Sequence, residues 1–384
     1  MRIALDYRPA LVNGEGIGRA TRELVRALGE LAGESEQLDG LDLFGWTRAG
    51  VRCEAALDLA QSARLSRRRI PNALLPFVLR RGADGAFRAT GSHAAPAIFH
   101  HTQPARLPVK RALQTTTLYD CIYLLDAEAA AAGAGPWVEA RTAERMHASA
   151  KLAAAQSDHL FAPTEYVRQD LIARLGVDPA RITVTGLGCE HLGPAQLEDM
   201  QTRPPFVLTV ARVDPRKNHL AMLAAFEAIV RDGQPFHWYV VGPDGWRSER
   251  FDAALAASPA RDRVHRLRGV GEVELRGLFA TCEAFLFASH AEGFGLPPLE
   301  ALAHGCPVVA SDEPVLNEVL GAAAVHVTAL DVDGWFEALR EGLELGRTPQ
   351  REAAARTHAS GWTWDHTAAA VCDQLGRLRS QTSS

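Results

Sequence analysis

The chain has 384 residues, of which 47% are hydrophobic and 23% charged, so it resembles a soluble globular protein and is long enough for two hydrophobic cores. Its net charge of −5 argues against a long nucleic acid as partner. The six cysteines have no CxxC spacing and Asp6 interrupts the first apolar run, so we expect reduced thiols, no signal peptide and a cytoplasmic location.

Short apolar runs rich in Val, Ile and Phe alternate along the chain with segments of helical period. This alternation is typical of parallel sheets joined by crossover helices. The first half has predicted strands at Arg2 to Tyr7, Leu41 to Trp46, Thr115 to Asp120, Leu160 to Pro163 and Ile182 to Thr185, and predicted helices near Ile17 to Leu31 and Glu165 to Leu175. The second half has predicted strands at Phe206 to Arg212, His237 to Gly242, Val264 to Arg268, Ala284 to Ser289 and Pro307 to Ser311.

The stretch from Gly193 to Pro205 lacks period and ends in two prolines, which predicts a linker. We therefore expect an α/β protein of two Rossmann-like, doubly wound domains, at residues 1–195 and 203–364, with a last helix at 365–384 that packs back on the first domain. Such sheets bind ligands beyond the carboxyl ends of their strands, so two facing domains create one interdomain cleft.

The segment from Ala284 to Ser311 carries the strongest site signal. An apolar strand precedes a glycine-containing loop and a helix with two prolines in its first turn, which predicts a βαβ unit. Glu292 and Glu300 bracket the amides of residues 293–295, an arrangement suited to sugar or ribose hydroxyl groups. Taken singly, Glu292 is better explained as a solvated loop charge and Glu300 as a contact with the helix dipole, but the intervening glycines and the paired prolines favour a binding site.

A second signal lies in FVLTVARVDPRKNHL, residues 206–220, where a strand ends and a helix begins. Arg212 and Lys217 fall at the ligand edge of this unit. Two cations beside a helix N-terminus suit a diphosphate and stabilise the negative charge that develops as a glycosidic phosphate bond breaks. The alternative is a pair of surface cations flanking a turn.

The first domain offers weaker signals. The loop after its first strand holds glycines without the dinucleotide-binding spacing. Asp120 ends a predicted strand, where it orients an acceptor hydroxyl or caps a turn.

Four segments together resemble family 4 of the retaining glycosyltransferases, which have the GT-B fold: GIGRATREL, FAPTEYVRQDLIARLGVDPARITVTGLG, ARVDPRKNHL and EGFGLPPLEALAHGCPVVAS. The two glutamates eight positions apart are the most specific part of this resemblance. It implies that Glu300 binds the ribose and Glu292 the donor sugar, while Arg212 and Lys217 hold the diphosphate. The other donor-site positions that the resemblance implies are Gly16, Gly18, Gly242, Gly293, Phe294, Gly295 and Leu296.

The resemblance also implies an activity. The enzyme would move a hexose from a nucleotide diphosphate sugar to a glycan or lipid-linked acceptor in bacterial polysaccharide synthesis, by front-side displacement with retained anomeric configuration. The segments DPRKNHL and GFGLPPLEA are similar to bacterial polysaccharide mannosyltransferases, which favours GDP-mannose over UDP-sugars. No metal ion and no cofactor are expected, since fixed cations take the metal's place. A sugar-nucleotide epimerase, a phosphorylase and an inactive GT-B binding module are the alternatives on this fold.

One position departs from the family's pattern. Tyr119 and Asp120 stand where many members have a His-Asp pair. The Asp is retained, so the sugar contact of the missing histidine falls to Tyr119 or to the nearby His101.

The stretch from Ser62 to Gly82 holds six arginines among apolar side chains. Basic clusters around apolar residues favour an anionic membrane surface, which would place the enzyme on the inner face of the membrane. In the competing interpretation the apolar side chains pack on the first sheet and the arginines are solvated. Pro71 and Pro76 argue against one continuous amphipathic helix.

Overall fold

The computed structural model describes residues 1–14, 16–34, 37–48, 59–70, 97–107, 109, 112–131, 135–196 and 203–383. These residues form two compact units. The first unit comprises Met1–Cys121, Glu144–Gly188 and Thr363–Ser384, and the second comprises Ile122–Ala143 and Cys189–Trp362.

The described strands of the first unit form one parallel sheet in the order β3-β2-β1-β4-β5-β6-β7. They are β1 (Arg2–Asp6), β2 (Gly40–Arg48), β3 (Ala63–Ile70), β4 (Ile98–His101), β5 (Leu113–Thr117), β6 (His159–Ala162) and β7 (Ile182–Val184). Ile3 to Leu5 of β1 and Leu160 to Ala162 of β6 are fully buried, which explains why these two strands are short apolar runs in the sequence.

Helices flank this sheet. They are α1 (Arg8–Val12), α2 (Ile17–Glu34), α4 (Ala140–Gln156), α5 (Glu165–Leu175) and α13 (Trp364–Ser383). The caps of α5 follow the sequence directly, since Thr164 accepts a hydrogen bond from the Val167 amide and Gly176 ends the helix in the left-handed conformation. The C-terminal α13 packs against α2 within the first unit.

The second unit has a parallel sheet whose described strands follow the order β10-β9-β8-β11-β12-β13. They are β8 (Phe206–Val210), β9 (His237–Val241), β10 (Val264–Leu267), β11 (Ala284–Phe287), β12 (Val308–Ser311) and β13 (Ala324–Val327). Its helices are α3 (Ile122–Ala131), α6 (His219–Arg231), α7 (Glu249–Ala257), α8 (Glu272–Thr281), α9 (Leu296–Ala303), α10 (Pro314–Leu320), α11 (Val332–Leu345) and α12 (Pro349–Ala359). A buried hydrophobic cluster that includes Trp238, Phe226 and Trp335 forms the core of this unit.

Several boundaries differ from the sequence interpretation. Residues 122–143 and 189–195, expected in the first domain, group with the second unit. The strand expected to end at Asp120 ends at Thr117; the Leu118 amide makes one more hydrogen bond, to the Phe161 carbonyl oxygen, and the chain then turns into α3. Strands β3, β4 and β13 were not among the predicted strands.

Within the part of the chain that the structure describes, no helix combines the length and apolar character needed to cross a membrane. Residues 71–82 of the predicted membrane-contacting stretch lie outside the described residues, as do residues 197–202 of the predicted linker.

Candidate functional site

The candidate site lies at the carboxyl edge of the second sheet. Strands β8, β11 and β12 are neighbours there, so the loops that follow them meet at one place. In a parallel α/β sheet this edge is where ligands bind.

Glu292, in the loop after β11, is the centre of a polar cluster. Its carboxylate oxygen Oε1 accepts hydrogen bonds from Lys217 Nζ, from Arg216 Nη1 at 2.9 Å and from Ser289 Oγ at 2.5 Å. The Glu292 side chain is only 9% exposed. The Lys217 ammonium also lies 4.6 Å from the centroid of the Phe287 ring, a cation–π contact. Lys217 and Glu292, two predicted site residues, are thus brought together.

The charges of this cluster are set by burial and by mutual attraction. Burial would raise the pKa of Glu292, but Arg216 and Lys217 outweigh it and hold the pKa below its usual value. Burial and the neighbouring Arg216 lower the pKa of Lys217, while Glu292 acts in the opposite direction. Two cations share the Glu292 carboxylate, and Asp214 adds a second negative charge near Lys217.

The turn before α6 aims both cations at Glu292. Asp214 accepts a hydrogen bond from the Lys217 amide at 3.2 Å, and Asn218 adopts φ 53°, so the chain turns sharply over Pro215–Lys217. The Arg216 carbonyl accepts from the His290 amide at 2.8 Å, and Arg216 Nη1 donates to the Ala291 carbonyl at 2.6 Å. Arg216 therefore fixes the loop after β11 through both backbone and side chain. Sequence reasoning missed this role, although Arg216 lies in the motif that supplied Lys217.

Glu300, on α9, belongs to a separate buried contact. His191 Nε2 lies 2.9 Å from Glu300 Oε1, and the two side chains are 1% and 5% exposed. His304 Nδ1 is 2.8 Å from the Glu300 carbonyl oxygen, and its Nε2 is 3.2 Å from the Gly193 carbonyl oxygen. The segment that the sequence interpretation gave to the first domain and the linker thus contacts the second glutamate of the motif. The ribose contact of Glu300 stays a prediction.

The glycine loop between the two glutamates is closely packed. Gly295 has φ 89°, and a Cβ there would lie 2.5 Å from Leu316 Cδ2, so this position requires glycine. The Phe294 ring is buried and packs edge-on against Trp362, with centroids 5.3 Å apart. Gly293 is also buried, and Leu296 begins α9.

Arg212 and Gly242 lie next to each other beyond β8 and β9. Gly242 has φ 145°, and a Cβ there would lie 2.1 Å from the Ala211 carbonyl oxygen. The exposed Arg212 has its side chain against Gly245. Close backbone approach therefore accounts for Gly242, while the diphosphate contact of Arg212 stays a prediction.

A parallel aromatic stack adjoins the loop after β11. The rings of Trp137 and His290 have centroids 5.5 Å apart and planes inclined by 6°. Burial, followed by the nearby Arg216, lowers the pKa of His290. Trp137 comes from residues 122–143, so no sequence signal assigned it to this unit.

In the first unit, the predicted glycines shape the start of α2. Gly16 has φ 45°, and a Cβ on Gly18 would lie 1.8 Å from the Asn13 carbonyl oxygen. Arg22 donates to the carbonyl oxygens of Asn13 and Gly14, at 3.0 and 2.9 Å, and ties this loop to the helix. The close approach of the Asn13 carbonyl oxygen shows why glycine is needed at position 18.

The first unit also contains the acceptor-side residues proposed from the sequence. Asp120 is half-buried just beyond β5, and burial raises the pKa of the Tyr119 hydroxyl. His101 is fully buried, 3.3 Å from Gln114 Oε1, and accepts from the Leu107 amide at 3.4 Å. Both ring nitrogens of His101 thus have partners within the first unit, and its role in place of the missing histidine stays a prediction.

Comparison with known proteins identifies relatives of the second unit among glycosyltransferases. Residues 196–358 match the family of glycosyl transferases group 1. The chain is 31% identical over 188 residues to the serotype-specific mannosyltransferase WbdA of Escherichia coli, an alignment that covers 48% of this chain and 23% of that protein. It is 29% identical over 241 residues to D-inositol 3-phosphate glycosyltransferase of Gordonia bronchialis, covering 58% of this chain and 53% of the relative. The chain thus spans from under a quarter to about half the length of these relatives.

Solved structures match over nearly the whole chain. Sucrose-phosphate synthase from Thermosynechococcus elongatus superposes with a TM-score of 0.73 at 19% identity, covering 100% of this chain and 99% of the other. WaaG, a glycosyltransferase of lipopolysaccharide biosynthesis, superposes with a TM-score of 0.65 at 15% identity, covering 98% and 99%. Two parallel Rossmann-like sheets and these neighbours show that the fold is GT-B, as the sequence predicted.

Proposed function

We propose that this protein is a retaining glycosyltransferase of family 4, which moves a hexose from a nucleotide diphosphate sugar to a glycan or lipid-linked acceptor. The observation that carries the proposal is the buried Glu292 with Arg216 and Lys217 at the ligand edge of the second sheet. The match of residues 196–358 to glycosyl transferases group 1 supports the same activity.

The chemistry of this cluster suits sugar transfer. The acceptor oxygen attacks the anomeric carbon, the bond to the donor phosphate breaks, and the acceptor proton passes to a departing phosphate oxygen. Negative charge grows on the leaving diphosphate, where Lys217 and Arg216 stabilise it in a site largely removed from water. Glu292 is held as a carboxylate and accepts hydrogen bonds from the donor sugar. No nucleophile from the protein is needed.

Mannose from GDP-mannose is the donor we favour, in bacterial polysaccharide synthesis. The support is the similarity to WbdA and to O-antigen chain mannosyltransferase B, both of Escherichia coli. A UDP-sugar is the second candidate, because HepE of Anabaena, which shares the fold at a TM-score of 0.68, is described in complex with UDP and glucose.

We further propose that the reaction needs no divalent ion. Arg216 and Lys217 supply positive charge where a metal would otherwise neutralise the diphosphate. This proposal has its own test, which is turnover in excess EDTA.

We also propose that the first unit contacts an anionic membrane through strand β3. Strand β3 is the edge strand of the first sheet among the described strands, and its Arg64, Arg67, Arg68 and Arg69 are exposed. The Arg68 guanidinium lies 5.2 Å from the Trp46 ring centroid, so an aromatic side chain accompanies this basic edge. Each cation near an anionic surface contributes about 1 kcal/mol.

Liposome co-sedimentation tests this contact. We expect binding that requires anionic lipid, weakens with salt and falls in the variant Arg67→Ser, Arg68→Ser, Arg69→Ser. Equal sedimentation of wild type and variant would overturn the membrane proposal and favour a soluble acceptor.

The activity itself is tested with a panel of nucleotide sugars, each assayed for free nucleoside diphosphate with and without acceptor glycans. A transferase releases the diphosphate faster when its acceptor is present. An epimerase converts the donor sugar nucleotide into its epimer without releasing the nucleoside diphosphate. A binding module leaves every donor unchanged. Either of these results would overturn the proposed function.

A further inference from the structure

Ser289 follows the end of β11 by two positions, and its side chain is fully buried. Its Oγ lies 2.5 Å from Glu292 Oε1, 3.3 Å from the Ala291 carbonyl oxygen and 3.4 Å from the Arg216 carbonyl oxygen. A hydroxyl group has one hydrogen to donate, and here the shortest contact is with a charged acceptor. Hydrogen bonds from a hydroxyl to a carboxylate are about 2.5–2.7 Å long, so the hydrogen belongs to the bond with Glu292.

The backbone on both sides of this hydroxyl group is fixed. Ser311 Oγ, at the end of β12, donates to the Ser289 carbonyl oxygen at 2.5 Å. The next amide, that of His290, donates to the Arg216 carbonyl oxygen at 2.8 Å. The Ser289 side chain therefore starts from a backbone that is held by β12 and by the loop after β8.

The side-chain donors of the cluster all reach the same oxygen of Glu292. In the described part of the chain, Arg216 Nη1, Lys217 Nζ and Ser289 Oγ each donate to Oε1. The two cations supply charge, and the Ser289 hydroxyl group adds a short, directional bond from the strand end itself. Because these three donors bind Oε1, the carboxylate has Oε2 left to accept a hydroxyl hydrogen of the donor sugar.

We propose that Ser289 is a positioning residue for sugar transfer, whose hydroxyl group fixes Oε1 of Glu292 and so presents Oε2 to the donor sugar. The proposal rests on the proposed function, in which the donor sugar is the ligand of Glu292. Misplacement by about 1 Å in an active site costs on the order of a hundredfold in rate. Loss of one of three contacts to Oε1 should have a smaller but measurable effect.

The bond from Ser289 also affects the charge of Glu292. The charged and titratable groups around this carboxylate come from three loops: Asp214, Arg216 and Lys217 after β8, His290 after β11, and Glu313 directly before α10. Burial raises the pKa of Glu292, but Arg216, Lys217 and the hydrogen bond from Ser289 hold it below its usual value. Loss of the hydroxyl group therefore raises this pKa, and Glu292 takes up its proton at a higher pH.

Two serines at neighbouring strand ends provide matched variants. Ser289→Ala removes the hydroxyl group that reaches the carboxylate of Glu292. Ser311→Ala removes a hydroxyl group that is equally buried but donates to a backbone carbonyl oxygen. Each variant loses one hydrogen bond and the same volume, so a purely structural role of Ser289 predicts the same pH dependence for both.

The first readout is the pH dependence of kcat/KM for the accepted donor. We expect Ser289→Ala to move the acid-side decline of this profile to higher pH, and to lower kcat about tenfold at about pH 7.5. Ser311→Ala should keep the acid-side decline of the wild type. A decline that stays in place in Ser289→Ala, or that moves equally in both variants, would overturn the proposal.

The second readout is independent of activity. The chain has three lysines, Lys110, Lys151 and Lys217, so carbon-13 at lysine Cε gives three NMR signals, and the one absent from Lys217→Met is that of Lys217. Because Lys217 Nζ donates to Glu292 Oε1, this signal should move when Glu292 takes up a proton.

We expect the Lys217 signal to move at a higher pH in Ser289→Ala than in the wild type or Ser311→Ala. The same midpoint in all three proteins would overturn the contribution of the Ser289 hydroxyl group, whether or not a donor is found. The expected NMR titration in a wild type without turnover would instead contradict glycosyl transfer and support the contact between Ser289 and Glu292.

Discussion

Replacing Lys217 with Met tests the cation that lies between Glu292 and the ring of Phe287. Methionine has a similar length and packs well on aromatic rings, so the change removes the charge with little loss of volume. Glu292 keeps Arg216 at 2.9 Å and Ser289 at 2.5 Å. We therefore expect a stability loss of about 1–3 kcal/mol, below the roughly 3–5 kcal/mol for a buried charge left without a partner.

Lys217→Met should also lower kcat strongly. Lys217 is proposed to stabilise charge that develops on the leaving diphosphate, and loss of one such contact costs about 3 kcal/mol, or roughly a hundredfold or more in kcat. The assay is nucleoside diphosphate release at saturating donor, with urea unfolding as the measure of stability. Lys151→Met, at an exposed position of α4, is the matched control and should change neither quantity. A folded Lys217→Met enzyme with kcat near that of the control would refute the assigned role.

Three further outcomes are expected. Glu300→Gln should lower kcat/KM for the donor about 10- to 100-fold, because a neutral amide binds ribose hydroxyls less tightly; unchanged initial rates across donor concentrations would remove the ribose assignment. Turnover should persist in excess EDTA, and strict dependence on added manganese or magnesium would contradict the proposed role of the two cations. Because the folded state raises the pKa of Glu313 to about 8, its contribution to stability is most favourable below the unfolded value and is lost as pH rises toward 8. Wild type should therefore lose more stability than Glu313→Gln between about pH 5.5 and about pH 8.5, and parallel melting temperatures would contradict this.

The clearest predictions from the sequence are apolar strands that are buried on both faces of a sheet. Ala284–Phe287 and Val308–Ser311 are continuous apolar runs because neighbours cover them on every side. The helix between them was predicted from its prolines and from Gly305, which has φ 74°.

The strands that the sequence interpretation missed are the edge strands β3 and β13 and the central β4, whose four residues IFHH include two histidines. Ala63–Ile70 has the sequence ARLSRRRI, which lacks an apolar run; among the described strands it pairs only with β2, and many of its side chains face solvent. Ala324–Val327 is only half-buried over its first three residues. Pairing with a neighbouring strand defines both, and a single sequence contains no direct signal for it.

In the candidate site, too, some residues could be predicted from the sequence and others could not. Lys217 and Glu292 were predicted because each lies in a local motif at a strand end, and the structure brings them into contact. Arg216 was missed because two adjacent cations look alike in sequence, and only the turn set by Asp214 and Asn218 shows that both point to Glu292.

The contributions of His191 and Trp137 could not be predicted at all. His191 lies 2.9 Å from Glu300, and Trp137 stacks on His290, although both come from segments that the sequence interpretation gave to the first domain. Both contacts lie within the second unit and join segments that are far apart in sequence, which local patterns do not encode.

The most direct test of the central claim is to follow the anomeric carbon of the donor itself. Donors labelled with carbon-13 at C1, GDP-mannose first and then UDP-sugars, are incubated with the protein and acceptor glycans, and their C1 signal is recorded by NMR with time. We predict that the donor signal is replaced by that of a new glycoside with the same anomeric configuration, and that Lys217→Met slows this conversion. A product of inverted configuration would contradict the retaining mechanism, and donors that stay intact with every acceptor, or change only into an epimer, would contradict glycosyl transfer.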